Sequence, residues 1–165
     1  MDPVTLFKEH HAALYRYLVR YSGDPDAAAD AAQEAFVRLL ERSPRPGEER
    51  AWLFKVATNV IRESRRNESR RHRLLEHSPG RAPAGDAPES ADAAVEARER
   101  LEAVQRLLGR LDERERMLLL MREEGFSHAE IAEAIGTTTK SVGTLLVRAL
   151  RKLSSQLMLQ REAWQ

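Results

Sequence analysis

The fold of the C-terminal part of this chain is decided by residues 125–153, GFSHAEIAEAIGTTTKSVGTLLVRALRKL. Ser127 with Glu130 three residues later is the pattern of a capping box, which begins a helix by satisfying its first free backbone N–H groups. Apolar residues then recur at helical spacing as far as Gly136, and a longer helix begins after a Thr138 cap. Two helices joined by so short a turn predict a helix-turn-helix.

The second helix of this motif has two different faces. Its predicted core positions are Val142, Leu146, Ala149, Leu150 and Leu153. The residues left on the outer face are Thr139, Lys140, Gly143, Thr144, Val147, Arg148 and Arg151. In helix-turn-helix units the second helix enters the major groove of DNA, where hydroxyl and guanidinium groups reach phosphates or guanine. The alternative is an ordinary helical hairpin with a solvated basic face.

Apolar residues recur at helical spacing along nearly the whole chain, and no stretch shows the sustained alternation that is typical of a β-strand. In the N-terminal half, Gly23 ends a first helix and Asp24 caps a second, which runs to about Glu41. After a segment rich in proline, a third helix is predicted from about Glu49 to Arg73.

A break in this helical pattern divides the chain. Residues 77–92 contain three prolines, two glycines and no large apolar side chain, so they bury too little surface to offset the entropy of ordering them. We interpret them as a flexible linker between an N-terminal domain, residues 1–76, and a C-terminal domain, residues 93–165. In the second domain, DERE at residues 112–115 is another capping box. The predicted fold is all-α, with two small helical domains and a helix-turn-helix in the second.

The charges of this chain nearly cancel, but they are unevenly distributed. Twenty-seven Lys and Arg oppose 26 Asp and Glu, which gives a formal net charge of +1. Residues 62–73 hold six Arg against two Glu, and residues 140–160 hold four basic residues and no acidic one. Two basic segments in a nearly neutral chain favour local contacts with a polyanion over a general attraction to it.

Several classes of function find no support in the sequence. The chain has no cysteine, which excludes disulfides and thiolate zinc sites, and its histidines lack metal-ligand spacing. It has no glycine-rich phosphate loop and no nucleophile motif, so we expect neither an enzyme nor a cofactor. No apolar run approaches ~18 residues and no signal-peptide pattern opens the chain, so we expect a cytoplasmic protein without membrane insertion.

Three segments resemble one protein family in its own order. The stretch DERERMLLLMREEGFSHAEIAEAIG with SVGTLLVRALRKL resembles the promoter-binding region of small bacterial sigma factors, the extracytoplasmic-function (ECF) group of the sigma-70 superfamily. Residues 23–42, GDPDAAADAAQEAFVRLLER, are similar to the family's core-polymerase-binding segment, and residues 50–66, RAWLFKVATNVIRESRR, to its promoter-melting segment. The resemblance implies a sigma factor that binds core RNA polymerase, melts the −10 promoter element and binds the −35 element.

The resemblance also implies which residues make these contacts. Those facing the coiled coil of the largest polymerase subunit are Asp30, Gln33, Glu34 and Arg38. Those at the start-proximal element are Arg50, Trp52, Lys55, Asn59, Arg62, Arg65 and Arg66. Those at the upstream element are Thr139, Lys140, Thr144, Arg148, Arg151 and Lys152. The loop at residues 43–49 corresponds to the one that receives a flipped-out base, and the implied partners include the polymerase flap region and an anti-sigma factor.

Three alternatives stay open beside this interpretation. Trp52 lies at helical spacing with Val56, which is also the pattern of a core residue. At the upstream contact, Gly143, Leu145 and Leu150 stand where the family commonly has basic residues. These departures leave open a polymerase-binding adaptor without promoter recognition. A free-standing helix-turn-helix regulator, which binds duplex DNA as a dimer, is the other alternative.

Overall fold

The computed structural model describes residues 2–42, 44, 47–74 and 91–162, and this part of the chain forms α-helices without any strand. The seven helices are α1 (Pro3–Ser22), α2 (Pro25–Glu41), α3 (Glu49–Leu74), α4 (Ala91–Leu108), α5 (Glu113–Glu123), α6 (His128–Ile135) and α7 (Thr139–Glu162). The all-α prediction is confirmed. Residues 77–90 of the predicted linker lie outside the described residues, so the domain boundaries stay a prediction. Three residues of the loop at 43–49 also lie outside the described residues.

Local chemistry fixes the helix ends where the sequence predicts them. Gly23 adopts a left-handed φ of 73°, which lets the chain leave α1. The Asp24 side chain then accepts hydrogen bonds from the backbone N–H groups of Asp26 and Ala27, at 2.9 and 3.1 Å. Both predicted capping boxes form, at the start of α5 and at the start of α6. At these positions the helices therefore begin and end where the sequence patterns predict.

Helices α1 to α3 form the N-terminal domain around a shared core. Helix α2 contributes alanines to this core, and their small side chains allow α1 and α3 to pack closely against α2. Tyr17 and Phe54 are fully buried, with their ring centroids 4.9 Å apart. Trp52 is half-buried and packs against the same core, so its helical spacing is explained by packing.

A buried polar network lies inside this apolar core. Thr58 is fully buried, and its hydroxyl donates to the backbone carbonyl of Phe54 at 2.7 Å. With that proton used, the Tyr17 hydroxyl is the donor in its 2.9 Å contact with the Thr58 oxygen. Burial raises the pKa of Tyr17, so the phenol stays protonated and able to donate. The network ties α1 to α3 at one defined register.

Helices α4 to α7 form the C-terminal domain, in which α7 packs on α5 and α6. Val142, Ala149 and the buried Gln156 are seven residues apart and line the inner face of α7. The prediction that Leu150 belongs to the core is wrong, because this side chain is 54% exposed. One residue along a helix turns the side chain by about 100°, which carries Leu150 away from the line through Ala149.

The two domains pack against each other in this structure. Helices α5 and α6 contact α1 and α3. Phe126 follows α5 and lies where the two domains meet. Its ring is edge-on to the ring of Phe54, with the two centroids 4.7 Å apart. The sequence patterns single out neither phenylalanine. The C-terminal domain is thereby held beside the N-terminal half of α3.

We predict that Thr58→Val destabilises the protein more than Tyr17→Phe. The valine removes the only acceptor of the Tyr17 hydroxyl among the described residues and leaves a buried donor unpaired, which costs about 1–3 kcal/mol. The phenylalanine removes that donor, but the Thr58 hydroxyl keeps its bond to the Phe54 carbonyl, so the cost is about 0.5–1.5 kcal/mol. Urea unfolding of the two variants measures both. An equal or larger loss in Tyr17→Phe would contradict this hydrogen-bond order.

Candidate nucleic-acid interface

The outer face of α7 presents a row of polar side chains. Lys140, Thr144, Arg148 and Arg151 are all exposed. Their spacings of four, four and three residues place them on one side of the helix. Thr139 is exposed at the first position of the same helix. The structure therefore places four of the six predicted upstream-contact residues on one exposed side of α7, with Thr139 at the N-terminal end of the helix.

Lys152, the sixth residue of that set, lies in a different environment. Its Nζ donates to both carboxylate oxygens of Glu115, each at 2.7 Å. Glu115 is buried and also closes the capping box of α5, since it accepts from the backbone N–H of Asp112. A buried carboxylate needs such partners. In this structure Lys152 joins α7 to α5, and its predicted contact with DNA would require this pair to open.

An apolar row runs beside the polar row on α7. Gly143, Val147 and Leu150 follow one another at helical spacing, and the two larger side chains are 48% and 54% exposed. A Cβ added at Gly143 would meet no described atom within 4 Å, so internal packing does not require glycine there. Glycine inside a helix costs about 1 kcal/mol relative to alanine. A small residue at this position leaves room for a close external partner.

The second half of α3 carries a basic hollow. An open cavity of about 350 Å³ lies along it, and Glu113 of α5 stands at its rim. The arginines that line it are Arg62, Arg65, Arg66, Arg70 and Arg73. Guanidinium groups gathered in one groove are suited to a phosphate backbone. Three of the five belong to the predicted start-proximal set.

Two of these arginines also have protein partners. Arg62 Nε lies 3.1 Å from a Glu113 carboxylate oxygen and donates to the Tyr21 hydroxyl at 3.2 Å. Burial alone would lower the pKa of Arg62, but the bond to Tyr21 and the charge of Glu113 raise it, so this side chain stays charged. Arg65 donates to the backbone carbonyl of Ser22 at 2.8 Å. Both are therefore held in place at the edge of the hollow.

The first half of α3 lies under the C-terminal domain. Arg50 places its guanidinium 3.9 Å from the centroid of the Phe126 ring. Trp52 and Lys55 line a small cavity of about 50 Å³ whose other wall includes Glu133 and Ala134 of α6. Asn59, one turn after Lys55, is half-buried. The structure brings these predicted start-proximal residues together on α3, but it places α6 against them.

The predicted polymerase-binding residues lie together on α2. Asp30 and Gln33 are exposed, and Glu34 is half-buried. Arg38 Nε donates to Glu34 at 2.8 Å, and the Arg38 guanidinium also lies 3.9 Å from a carboxylate oxygen of Glu63 on α3. The first two residues are thus free to meet a partner, whereas the Glu34–Arg38 pair links α2 to its neighbour.

Sequence reasoning missed the residues that join the domains. They are Arg16, Arg20, Phe54, Glu113, Glu123, Glu124 and Phe126. Phe126 directly after Gly125 was the one local signal, because a large apolar residue just beyond a helix needs a surface to cover it. The partners of the charged residues lie more than 50 positions away in the chain, and helical spacing carries no information about them.

Two further observations bear on the kind of site this is. Among the described residues, no three His, Cys, Asp or Glu side chains are grouped so that they could hold a metal ion. Of the helices described, none has the length and apolar character needed to cross a membrane. Among the described residues, the surfaces suited to binding a partner are the basic and polar faces of the helices.

Both domains match known protein families. Residues 6–71 match the family described as Sigma-70 region 2, and residues 101–153 match Sigma-70, region 4. The ECF RNA polymerase sigma factor SigL of Mycobacterium tuberculosis is 32% identical over 161 residues, which cover 92% of this chain and 88% of SigL. A relative of this identity and extent establishes the family.

Two solved structures have a similar fold. One is CnrH in complex with the cytosolic domain of CnrY, with a TM-score of 0.69 and 25% identity over 95% of this chain and 88% of CnrH. The other is the sigma factor RpoE in complex with the anti-sigma factor NepR from Bartonella quintana, with a TM-score of 0.69 over 93% of this chain and 95% of RpoE. At 18% identity, the second likeness concerns the fold alone.

Proposed function

Because this chain belongs to the ECF group of the sigma-70 family, we propose that it divides promoter recognition between the outer face of α7 and the exposed face of α3. As a sigma factor it binds core RNA polymerase and directs promoter-specific transcription initiation. A free-standing helix-turn-helix regulator is not favoured, because such a protein does not explain the region 2 match over residues 6–71. The proposed mechanism is binding and strand capture, without a bond-making step by this chain.

The upstream element is read by α7 in this proposal. The observation that supports it best is the exposed polar row of Lys140, Thr144, Arg148 and Arg151 on one side of the helix. Arginine can bond guanine bidentately, while lysine and threonine contact phosphates or base edges. Val147 beside this row is suited to a thymine methyl group. Gly143, Leu145 and Leu150 stand where the family commonly has basic residues, so α7 by itself is expected to bind the upstream element with modest affinity.

Attachment to polymerase compensates for modest affinity. Two contacts on one tethered assembly raise each other's effective concentration without any new contact. If α2 holds the chain on polymerase, α7 needs only to discriminate among sequences that are already nearby. The neutral residues Gly143, Leu145 and Leu150 are then compatible with promoter selection.

The start-proximal element is opened and held by α3 in this proposal. Arg50, Trp52, Lys55 and Asn59 lie on its first two to three turns and offer charge, an amide and one aromatic surface to an extruded base. The hollow lined by Arg62, Arg65 and Arg66 continues along the same helix and supplies phosphate contacts. Sequence is read at the bases, and the arginines fix the strand.

Two kinds of protein partner follow from this role. Asp30 and Gln33 on α2 face a helix of the polymerase coiled coil, with Glu34 and Arg38 at the edge of that contact, and the flap region meets the C-terminal domain. We also propose that an anti-sigma factor binds this chain, since the similar sigma factor RpoE is seen with the anti-sigma factor NepR. The chain would work in the cytoplasm, where polymerase and promoter DNA are.

We predict that Gln33→Ala with Glu34→Ala weakens binding to core polymerase about tenfold, because one charge-assisted hydrogen bond contributes about 1.5 kcal/mol. The fold should survive, since Gln33 is exposed and an i,i+4 pair such as Glu34–Arg38 contributes only about 0.3–0.5 kcal/mol. A direct binding assay measures the loss. Glu99→Ala on the exposed face of α4 is the control, and an unchanged affinity in the double variant would show that α2 is not the docking helix.

We predict that Arg148→Ala relaxes the base preference at one position of the upstream element, because bidentate contact with guanine is worth about 1–3 kcal/mol of discrimination. Arg151→Ala is the matched variant on the same face. We expect it to weaken binding evenly across sequences and to flatten the salt dependence, as loss of a phosphate contact does. Holoenzyme binding to a library randomised in the upstream element measures both. Unchanged selection in Arg148→Ala would contradict its role as a reader.

A further inference from the structure

Val147 on α7 points away from the core of its own domain. The inward side of this helix is defined by Val142 and Ala149, which are both fully buried. At about 100° of rotation per residue, Val147 lies about 140° around the helix from Val142 and about 160° from Ala149. Its side chain is 48% exposed. If α7 lies in the major groove as proposed, Val147 is on the side of the helix that faces the bases.

Val147 is the middle of a narrow apolar strip. Gly143 lies one turn before it and Leu150 one turn after it, on the same side of α7. Leu150 is 54% exposed, so the C-terminal domain leaves about half of each large side chain uncovered. A Cβ added at Gly143 would meet no described atom within 4 Å, so a partner can approach the helix backbone there. The strip ends at Ser154, and Leu157 lies about 10 Å beyond Leu150 along the helix axis.

The side chains around the strip indicate the kind of partner that it meets. Thr144 and Arg151 border the strip, and residues 140–160 hold four basic side chains and no acidic one. A polyanion is therefore the favoured partner. Two side chains also offer far less area than the roughly 800 Å² that each protein buries in a stable complex. Duplex DNA meets both conditions, because its major groove places the apolar C5-methyl group of thymine between two charged backbones.

The spacing of the strip is close to the spacing of stacked bases. Val147 and Leu150 are three residues apart, which is about 4.5 Å along the helix axis. Successive bases of one strand are about 3.4 Å apart. Thymine is the one base with an apolar group on its major-groove edge. We propose that Val147 and Leu150 select thymine at two adjacent base pairs of the upstream element, each by covering one C5-methyl group.

This contact gives α7 a way to select sequence without additional basic residues. Leu150 stands where the family commonly has a basic residue, and the apolar strip reads a methyl group there instead of a hydrogen-bonding edge. Any other base at these two positions would press polar atoms against an apolar side chain, which offers them no hydrogen bond. The inference rests on the proposed function in one respect, the placement of α7 in the major groove of the upstream element.

The test removes one methyl group at a time from the DNA. Holoenzyme made from core polymerase and the full-length chain first selects promoters from a duplex library randomised in both elements. Each thymine in the upstream element of a selected duplex, on either strand, is then replaced by deoxyuridine, which pairs as thymine does but lacks the C5-methyl group. Competition binding measures the affinity for each duplex. Val147→Ala is the test variant, and Val95→Ala on α4, where the side chain is 55% exposed, is the matched control.

We expect thymine to be enriched at two neighbouring positions. Deoxyuridine at either one should weaken binding by the natural chain about fourfold, which is the effect of losing one buried methyl group. Val147→Ala should lose this difference at one of the two positions and keep it at the other, which faces Leu150. Val95→Ala should keep both differences. The fold should survive in Val147→Ala, because the side chain is half exposed and alanine favours a helix.

Three results would overturn the inference, and they are distinguishable. If no deoxyuridine changes the affinity, or if Val147→Ala responds as the natural chain does, the methyl contact is wrong, while the enriched bases still support the proposed function. If no base is enriched in the upstream element, the proposed role of α7 fails and the inference fails with it. If Val147→Ala weakens binding to core polymerase without DNA, or dissociates a dimer of the free chain, the strip docks a protein instead of DNA.

Discussion

The contact between the rings of Phe126 and Phe54 is the interaction on which the arrangement of the two domains depends. It is supported from within the N-terminal core, because the Thr58 hydroxyl bonds the Phe54 carbonyl and the Tyr17 ring packs on the Phe54 ring. The Arg50 guanidinium also lies over the Phe126 ring. A polar network in one domain thus fixes the surface that receives the other. Because Arg50 is also a proposed DNA contact, packing and function compete for the same side chain.

The two helices proposed to contact DNA are built differently, and the difference fits their proposed tasks. Helix α7 presents its polar row on an exposed helix face, as duplex reading requires. Helix α3 combines Trp52 and Asn59, both half-buried, with a groove of arginines, as capture of a separated strand requires. Both surfaces are locally basic in a chain whose net charge is only +1. In the proposed function, polymerase holds both surfaces near one promoter and so compensates for the modest affinity of each.

The sequence predicts features that local chemistry decides and misses those that distant partners decide. The Asp24 cap and the left-handed Gly23 follow from neighbouring residues, and both are where the pattern places them. Helical spacing predicts that Leu150 lies in the core, because an apolar residue at such a position is usually buried, but the rotation of α7 is set by its packing on α5 and α6. Glu124 gave no signal at all, since its partners are on α1 and more than 100 residues away. The roles of the α2, α3 and α7 residues in binding stay predictions.

The most direct test of promoter recognition by two surfaces is transcription with purified core polymerase on a library randomised in both promoter elements. Sequencing the templates that yield transcripts measures selection at each position. A sigma factor that uses α3 and α7 as proposed is predicted to enrich specific bases in both elements and to start at a fixed distance from the start-proximal one. Stable binding to polymerase with no enriched base in either element would contradict this and would identify the chain as an adaptor without promoter recognition.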